Sequence, residues 1–478
     1  MKLREEEVRE IYRRGEDAMV GLFMELQEQV GQLRRRMTEL EGRLKKDSHN
    51  SNKPPSSDGY GRPSPKSQRK KSGRQSGGQP GHEGRTLEMV AKADRIEEHW
   101  PSQCESCGGG LKCKEAQGYD ARQVHDIPPI QVEVTEHRAM QVCCGQCGAT
   151  TQGKYPDNVK SKVQYGSGIT ALGVYIQAYQ LLPLERGTEF LRDVAGREVS
   201  DGTLVNMLAN CAQRLTPIEA QIKAALLRAV TVNVDETGLR VKTKLHWLHV
   251  VSNDVLTYYA VDTQRGKSAQ ERIGILPTFE GIAIHDALPS YLKWSCKHSL
   301  CNAHLLRELT ALEETTDQRW PTRLKSLLVD MKTAVDQAVE RKRFALSPAI
   351  IAKFQADYDQ LVRTALRANP RPKYQLGQRG RPRASPARNL AERLRDHKQA
   401  VLLFIHDFRA SFDNNQAERD LRMMKVKQKI SGCFRSLHGA RIFATVRGYI
   451  STVRKQGFSA LNALRHLFDD LPVALNLG

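Results

Sequence analysis

Apolar residues recur along residues 16–46 in steps of four and three: Met19, Phe23, Leu26, Val30, Leu33, Met37, Leu40 and Leu44. That spacing lines one seam of a helix and predicts a short coiled coil, hence self-association. The alternative is an amphipathic helix docked on its own chain. Gly21, Gly31 and Gly42 each weaken the helix by about 1 kcal/mol relative to Ala. A second helical pattern covers residues 167–214. Within it, Leu184 to Ala195 is amphipathic, residues 196–199 form a turn, and Ser200 is a candidate N-cap for the next helix. This is helix-turn-helix geometry, which ordinary helical hairpins share.

From residue 230 the pattern changes. Residues 230–234, 245–251 and 256–261 are short runs rich in β-branched and aromatic residues, and a helix follows Lys267 before a fourth run at 282–284. Three strands, a helix and another strand predict an α/β layer. Long helical patterns then occupy residues 302–367 and 390–408. Between them lies a loop, residues 371–388, with Arg371, Lys373, Arg379, Arg381, Arg383 and Arg388 and no acid. Such a loop is either solvated or binds a phosphate backbone.

Composition narrows the partners. A length of 478 residues suggests about three domains. The net charge of +20 and pI near 9.6 point to a polyanion. There is no apolar run long enough to span a bilayer and no strongly amphipathic basic helix with aromatic anchors, so nucleic acid is favoured over membrane. The first residues, Met-Lys-Leu-Arg-Glu-Glu-Glu, lack the apolar core of a signal peptide, so a cytoplasmic, DNA-associated protein is expected. Residues 48–84 hold 25 Gly, Pro, Ser, Asn or Gln among 37 positions and no Val, Ile, Leu, Met or Phe. Such a stretch reads as a basic flexible linker, adding salt-sensitive affinity for phosphates or serving only as a spacer.

Ten cysteines in such a setting suggest thiols or metal ligands rather than disulfides. Cys104-Glu-Ser-Cys107-Gly and Cys144-Gly-Gln-Cys147-Gly are two knuckles in which a two-residue gap lets both thiolates face one ion. Together Cys104, Cys107, Cys144 and Cys147 predict a tetrahedral structural Zn2+ site. Cys143 is an alternative to Cys144, and unligated thiols are the alternative to zinc.

Three carboxylates stand out. Asp235 ends the run Val-Thr-Val-Asn-Val-Asp, Asp286 ends Gly-Ile-Ala-Ile-His-Asp, and Glu418 falls one turn into a predicted helix that opens Asp-Asn-Asn-Gln-Ala-Glu. Two aspartates at strand ends and a glutamate from a helix can hold a pair of divalent cations, the arrangement that clamps both oxygens in phosphoryl transfer. Each alone could equally be a turn former or cap. Asp413 or Asn414 can cap the helix that carries Glu418. Arg419, Arg422, Lys425, Lys427 and Lys429 follow on it as candidate DNA phosphate contacts. If the first strand ended at Asp235, Glu236 would be a rim residue.

In order along the chain, these motifs resemble those of insertion-sequence-66 transposases, a group of bacterial DDE transposases. The resemblance is carried by Asn50-Ser-Asn-Lys-Pro-Pro-Ser-Ser-Asp58, Gly77-Gly-Gln-Pro-Gly-His-Glu-Gly84, the two knuckles and Val234-Asp-Glu-Thr237. It continues through His285-Asp286 with Tyr291, Cys301-Asn-Ala-His304 with Arg307, and Asn414-Asn-Gln-Ala-Glu-Arg419. It implies an RNase H-like mixed-sheet catalytic domain with a helical insertion, in which Asp235, Asp286 and Glu418 hold Mg2+ (or Mn2+). It also implies that Cys301, His304 and Arg307 support that site: the recurring Cys-x-x-His braces the active-site helix or lies near phosphate. A second zinc site formed with Cys296 and His298 is the alternative. The expected activity is hydrolysis at the element's terminal inverted repeats, then transfer of the freed 3′-hydroxyl to target DNA, with or without small accessory proteins. A DNA-binding regulator without chemistry and a nuclease without strand transfer are the competing readings.

The expected organisation is a coiled-coil helix (1–46), a basic linker (47–99), a zinc-binding domain (100–155) and a helical region (165–228). The catalytic domain (229–305 and 401–430) is interrupted by a helical insertion (306–400) and followed by C-terminal helices (431–478).

Overall fold

The computed structural model describes residues 5–44, 87–111, 115–128, 130–372, 382 and 384–478. The expected linker over 47–86 and the candidate contacts Lys373, Arg379, Arg381 and Arg383 lie outside the described residues. Residues 87–99 carry no helix or strand. No helix among the described residues is long and apolar enough to cross a membrane.

Two helices begin the chain, α1 (Glu5–Arg13) and α2 (Glu16–Leu44). The heptad residues Phe23, Leu26, Val30, Leu33, Met37 and Leu40 of α2 are all exposed. A short antiparallel hairpin follows, β1 (Gln141–Cys143) and β2 (Thr150–Gln152). Next come α3 (Ser167–Val174), continued by a π turn over Tyr175–Tyr179, then α4 (Leu184–Ala195) and α5 (Asp201–Arg228). The join between α4 and α5 is as expected. Gly196 closes α4 in the left-handed region at φ 62°, where a missing Cβ removes the steric cost, and the Ser200 hydroxyl accepts a hydrogen bond from the Thr203 amide at 3.2 Å.

The central sheet contains β3 (Thr231–Val241), β4 (Lys244–Ser252), β5 (Thr257–Asp262), β6 (Ile282–His285) and β7 (Lys297–Leu300), with α6 (Lys267–Ile273) between β5 and β6. Its order is β5-β4-β3-β6-β7. β3, β4 and β5 form an antiparallel meander, whereas β6 and β7 run parallel to β3. Two expectations are corrected here. β3 does not stop at Asp235 but continues for six residues, turning into β4 at Lys242 (φ 54°) and Thr243. β7 was not expected, because Lys-His-Ser-Leu has no alternating apolar pattern to announce an edge strand.

Helices α7 (Asn302–Thr315), α8 (Trp320–Glu340) and α9 (Pro348–Ala368) come next, then α10 (Pro386–Asp396), α11 (Lys398–Val401) and α12 (Leu403–His406). Residues 390–408 are therefore three helices, not one. The backbone leaves helical geometry at His397 and Leu402, which lets Val401, Phe404 and Ile405 all turn inward. They join Trp320, Leu328, Tyr358 and Leu394 in a core that also takes in Leu300 of β7.

The chain ends in α13 (Asn415–Ser431), α14 (Leu437–Lys455) and α15 (Ala460–Phe468). One sheet face is covered by α13 and α14, through Leu421, Met424, Phe443 and Ala444 packed on Leu239, Leu248 and Val250. The other is covered by the end of α5, through Ile222 and Leu226 on Val232, Val234 and Val251. The terminal helices are not separate: Val446, Tyr449, Ile450 and Leu464 share one core with Ala171, Leu191, Leu204 and Leu215. Gly448 allows α14 to approach the sheet closely, since a Cβ there would stand 3.3 Å from the Thr257 carbonyl.

Candidate active site

The sheet places the two aspartates side by side. In the parallel pairing of β3 and β6, Asn233 stands opposite Ile284; two residues further along each strand come Asp235 and Asp286, on the same face by the two-residue period. Asp235 lies within β3 opposite Val250 of β4. Asp286 leaves β6 in a tight turn, its Oδ1 accepting a hydrogen bond from the Leu288 amide at 3.1 Å. Burial drives the Asp235 carboxyl well above the usual carboxylate range, and the nearby charges of Glu236, Asp286 and Glu418 add to it. The three expected carboxylates therefore share one neighbourhood.

Glu418 is brought there by a cross-link absent from any local pattern. Asn414, at the start of α13, is buried and does not cap the helix with its side chain. Its Nδ2 donates to the Val234 carbonyl at 2.9 Å, and its Oδ1 accepts from Asn233 Nδ2 at 2.9 Å. Its backbone amide donates to Cys301 Sγ at 3.2 Å. Asp413 makes the local contact instead, accepting from the Asn415 amide at 3.1 Å. The first turn of α13 is thus fixed to β3 one residue before Asp235. Glu418 then meets α7, with His304 Nε2 and Arg307 Nη2 each 3.6 Å from one of its oxygens. Its Oε1 is buried with no hydrogen-bond partner.

Cys301 and His304 therefore touch the Glu418 helix and Glu418 itself, as a brace does. Burial pushes the Cys301 thiol up to about 12, so it sits there as a neutral thiol. Cys301, His304 and Glu418 form the one group of three or more metal-type donors within 4.8 Å of one another among the described residues. Cys296 and His298 do not join it: both nitrogens of His298 are engaged, by His285 Nε2 and the Trp294 carbonyl, at 3.0 Å each.

Glu236 is not a rim residue. Because β3 continues past it, its side chain is wholly buried. It accepts hydrogen bonds from the hydroxyl of Tyr291 and from Arg265 Nε, the latter at 2.6 Å.

The two knuckles form as turns. The Cys104 amide donates to the Gly109 carbonyl at 2.8 Å and the Cys144 amide to the Ala149 carbonyl at 2.9 Å, with Gly108 and Gly148 both at φ 71°. Backbone amides of Cys107 and Ser106 hold the Cys104 thiol below its usual value, and those of Cys147 and Gln146 do the same for Cys144. Such amides favour thiolate, the form that binds metal. Cys143 instead donates to the Gly148 carbonyl at 3.3 Å, whereas the Cys144 thiol is hydrogen-bonded with that of Cys147. The four sulfurs do not converge into one group among the described residues.

Residues 162–442, more than half the chain and a span holding all three carboxylates, match the model of the family described as Transposase IS66 family. The chain belongs to that family. Residues 101–148, with all four knuckle cysteines, match the zinc-finger binding domain of transposase IS66. Residues 2–88 match a family of unknown function. A search of curated proteins finds no match.

This IS66 transposase therefore carries a zinc-finger domain ahead of its α/β region. Purified without chelator, it should contain about one zinc per chain, lost in Cys144→Ser. Metal analysis finding none in the fresh protein would refute the site. The basic residues after Glu418 divide into two groups. Arg419, Arg422 and Lys429 are exposed and Lys425 is half-buried; their spacing keeps them along one side of α13. Lys427 faces inward, its ammonium 4.1 Å from the Phe434 ring centroid. Sequence reasoning missed Asn414 as a cross-link, Arg265, and the buried role of Glu236. Nothing in their local patterns could have revealed contacts spanning 180 residues or 29 residues.

Proposed function

We propose that this transposase cuts the ends of a bacterial insertion sequence and joins them to target DNA, using Asp235, Asp286 and Glu418 to hold Mg2+ or Mn2+. The observation that carries the reading is the placement of three carboxylates in one neighbourhood: Asp235 in β3, Asp286 just past the end of the parallel strand β6, and Glu418 on a helix cross-linked to β3. The donor set fits the ion. It is all oxygen, as hard divalent cations prefer, and the buried Glu418 Oε1 lacks a partner. Bound ions supply Lewis-acid activation of water or a 3′-hydroxyl and neutralise charge at the scissile phosphate. The protein's part is positional. The sheet fixes Asp235 and Asp286, Asn414 and Cys301 fix the start of α13, and His304 and Arg307 orient Glu418 from α7. A meander of three strands with two parallel strands beside it supports an RNase H-like catalytic core. We assign that core to residues 229–305 and 401–430, with 306–400 as the helical insertion. Hydrolysis and end joining are both phosphoryl transfers, so one site serves both. The test is Mg2+-dependent joining of a 3′-hydroxyl element end to plasmid DNA by the full-length protein. Cutting without joining would favour a nuclease, and binding without either a regulator.

The row of exposed apolar residues on α2 supports self-association through a coiled coil. Removing residues 1–46 should lower the mass in solution to a smaller multiple of the protomer, measured by light scattering. An unchanged multiple would exclude that interface.

A further inference from the structure

The geometry points to Arg265 as a phosphodiester-binding arm of the active site, held in place by Glu236 and Trp247. This inference rests on the reading of the site as one that cuts DNA.

Arg265 follows β5, three residues after Asp262, which pairs with Trp247 of β4. Two contacts fix its side chain. Its Nε donates to the wholly buried Glu236 carboxylate at 2.6 Å. Its guanidinium lies over the Trp247 ring, 4.9 Å from the centroid. Glu236 is itself held from the other side by the buried hydroxyl of Tyr291, which follows Asp286 by five residues. By the two-residue period Glu236 points to the sheet face opposite Asp235. The base of the arm is therefore tied to the backbone of β3 on one side and to the segment after Asp286 on the other, and the Asp286 charge acts on both Glu236 and Arg265.

The far edge of the guanidinium is unused. Neither terminal nitrogen has a hydrogen bond among the described residues, and 45% of the side chain is exposed. A group present only to neutralise Glu236 would present its forked face to the carboxylate, the geometry of strong Arg–carboxylate pairs. Here one edge nitrogen satisfies Glu236, and the fork remains available to an anion with two acceptor oxygens. The Trp247 ring beneath it limits how far that fork can swing. Much of the side-chain entropy lost on binding is thus already spent in the free protein. The anion that comes to the edge of the sheet beside Asp286 in a DNA-cutting site is the phosphodiester at or next to the cut. Arg265 would hold its two non-bridging oxygens and offset the charge added to an already acidic cleft.

The test couples the side chain to single phosphates. The full-length protein would be titrated with duplexes of the element's end, each carrying one neutral methylphosphonate near the cleaved bond, in Ca2+ to separate binding from cutting. Neutralising the contacted phosphate should weaken wild-type binding about ten-fold or more, the scale of a charge-assisted hydrogen bond. Arg265→Gln should lose the same factor on the unmodified duplex and nothing further on the modified one. Arg265→Lys keeps a positive charge beside Glu236 and serves as the variant that does not leave that buried carboxylate without a cation. It should bind more weakly than wild type and show a diminished response to the same methylphosphonate, because a single ammonium cannot reproduce the fork. Losses that multiply independently at every position, in both variants, overturn the arm. If wild type still cuts in Mg2+, the transposase reading stands without it; if wild type does not cut, both fall.

Discussion

Asp235→Asn should lose DNA cutting and end joining by about a thousand-fold or more, the scale of removing a group that stabilises transition-state charge. Binding should change by about two-fold at most, because affinity for DNA comes mainly from phosphate contacts elsewhere. The substitution keeps shape and can keep the acceptor oxygen that receives the Glu236 amide at 2.8 Å, while removing the negative charge an ion requires. It should not weaken the metal-free fold. Burial and the carboxylates of Glu236, Asp286 and Glu418 already oppose charge at this position, so a neutral side chain relieves repulsion. The expected signature is thus an unchanged or raised unfolding temperature in metal-free buffer, retained DNA binding, and no product on a strand-transfer gel. Cutting within ten-fold of wild type would remove Asp235 from the catalytic set.

Asn414→Leu should damage both stability and activity although it touches no substrate. The change leaves the Val234 carbonyl and the Asn233 amide without their partner in the interior. Each unpaired buried group costs about 1–3 kcal/mol, so unfolding in denaturant should lose about 3 kcal/mol in total. Because the same bonds fix α13 to β3, Glu418 loses its placement relative to Asp235. Cutting should therefore fall even at temperatures where circular dichroism shows the variant fully folded. Equal cutting by folded Asn414→Leu and wild type would show that Glu418 is positioned by the rest of α13 alone.

These residues also mark what the sequence could disclose. Periodicity was sufficient for α2, for the α4–α5 turn with its Gly196 and Ser200 signals, and for the first four strands of the sheet. Short spaced motifs were sufficient for the cysteine knuckles and for the neighbourhoods of Asp235, Asp286 and Glu418. The full reach of β3 was hidden because Glu236 and Thr237 look like a strand end. A buried carboxylate is tolerable there only because Tyr291 and Arg265, distant in sequence, satisfy it. Asn414 has the residue type of a helix cap and sits at a helix start, yet its side chain crosses to another element. The shared core of α3–α5 with α14 and α15 was invisible for a related reason: amphipathic faces reveal that something is buried, not which distant segment buries it.

That shared core has a bearing on how the protein is made. The ribosome finishes Leu215 some 230 residues before it reaches Val446, Tyr449 and Ile450, the side chains that complete the core. At 5–20 residues per second, the apolar face of α5 waits about 10–45 s for its partner. Every residue of the carboxylate site is synthesised within that interval. A product terminated before α14 would hold all three carboxylates but lack the helix that closes the core and covers one face of the sheet. Premature termination would therefore yield a polypeptide bound for proteolysis rather than a small, unregulated DNA-cutting fragment.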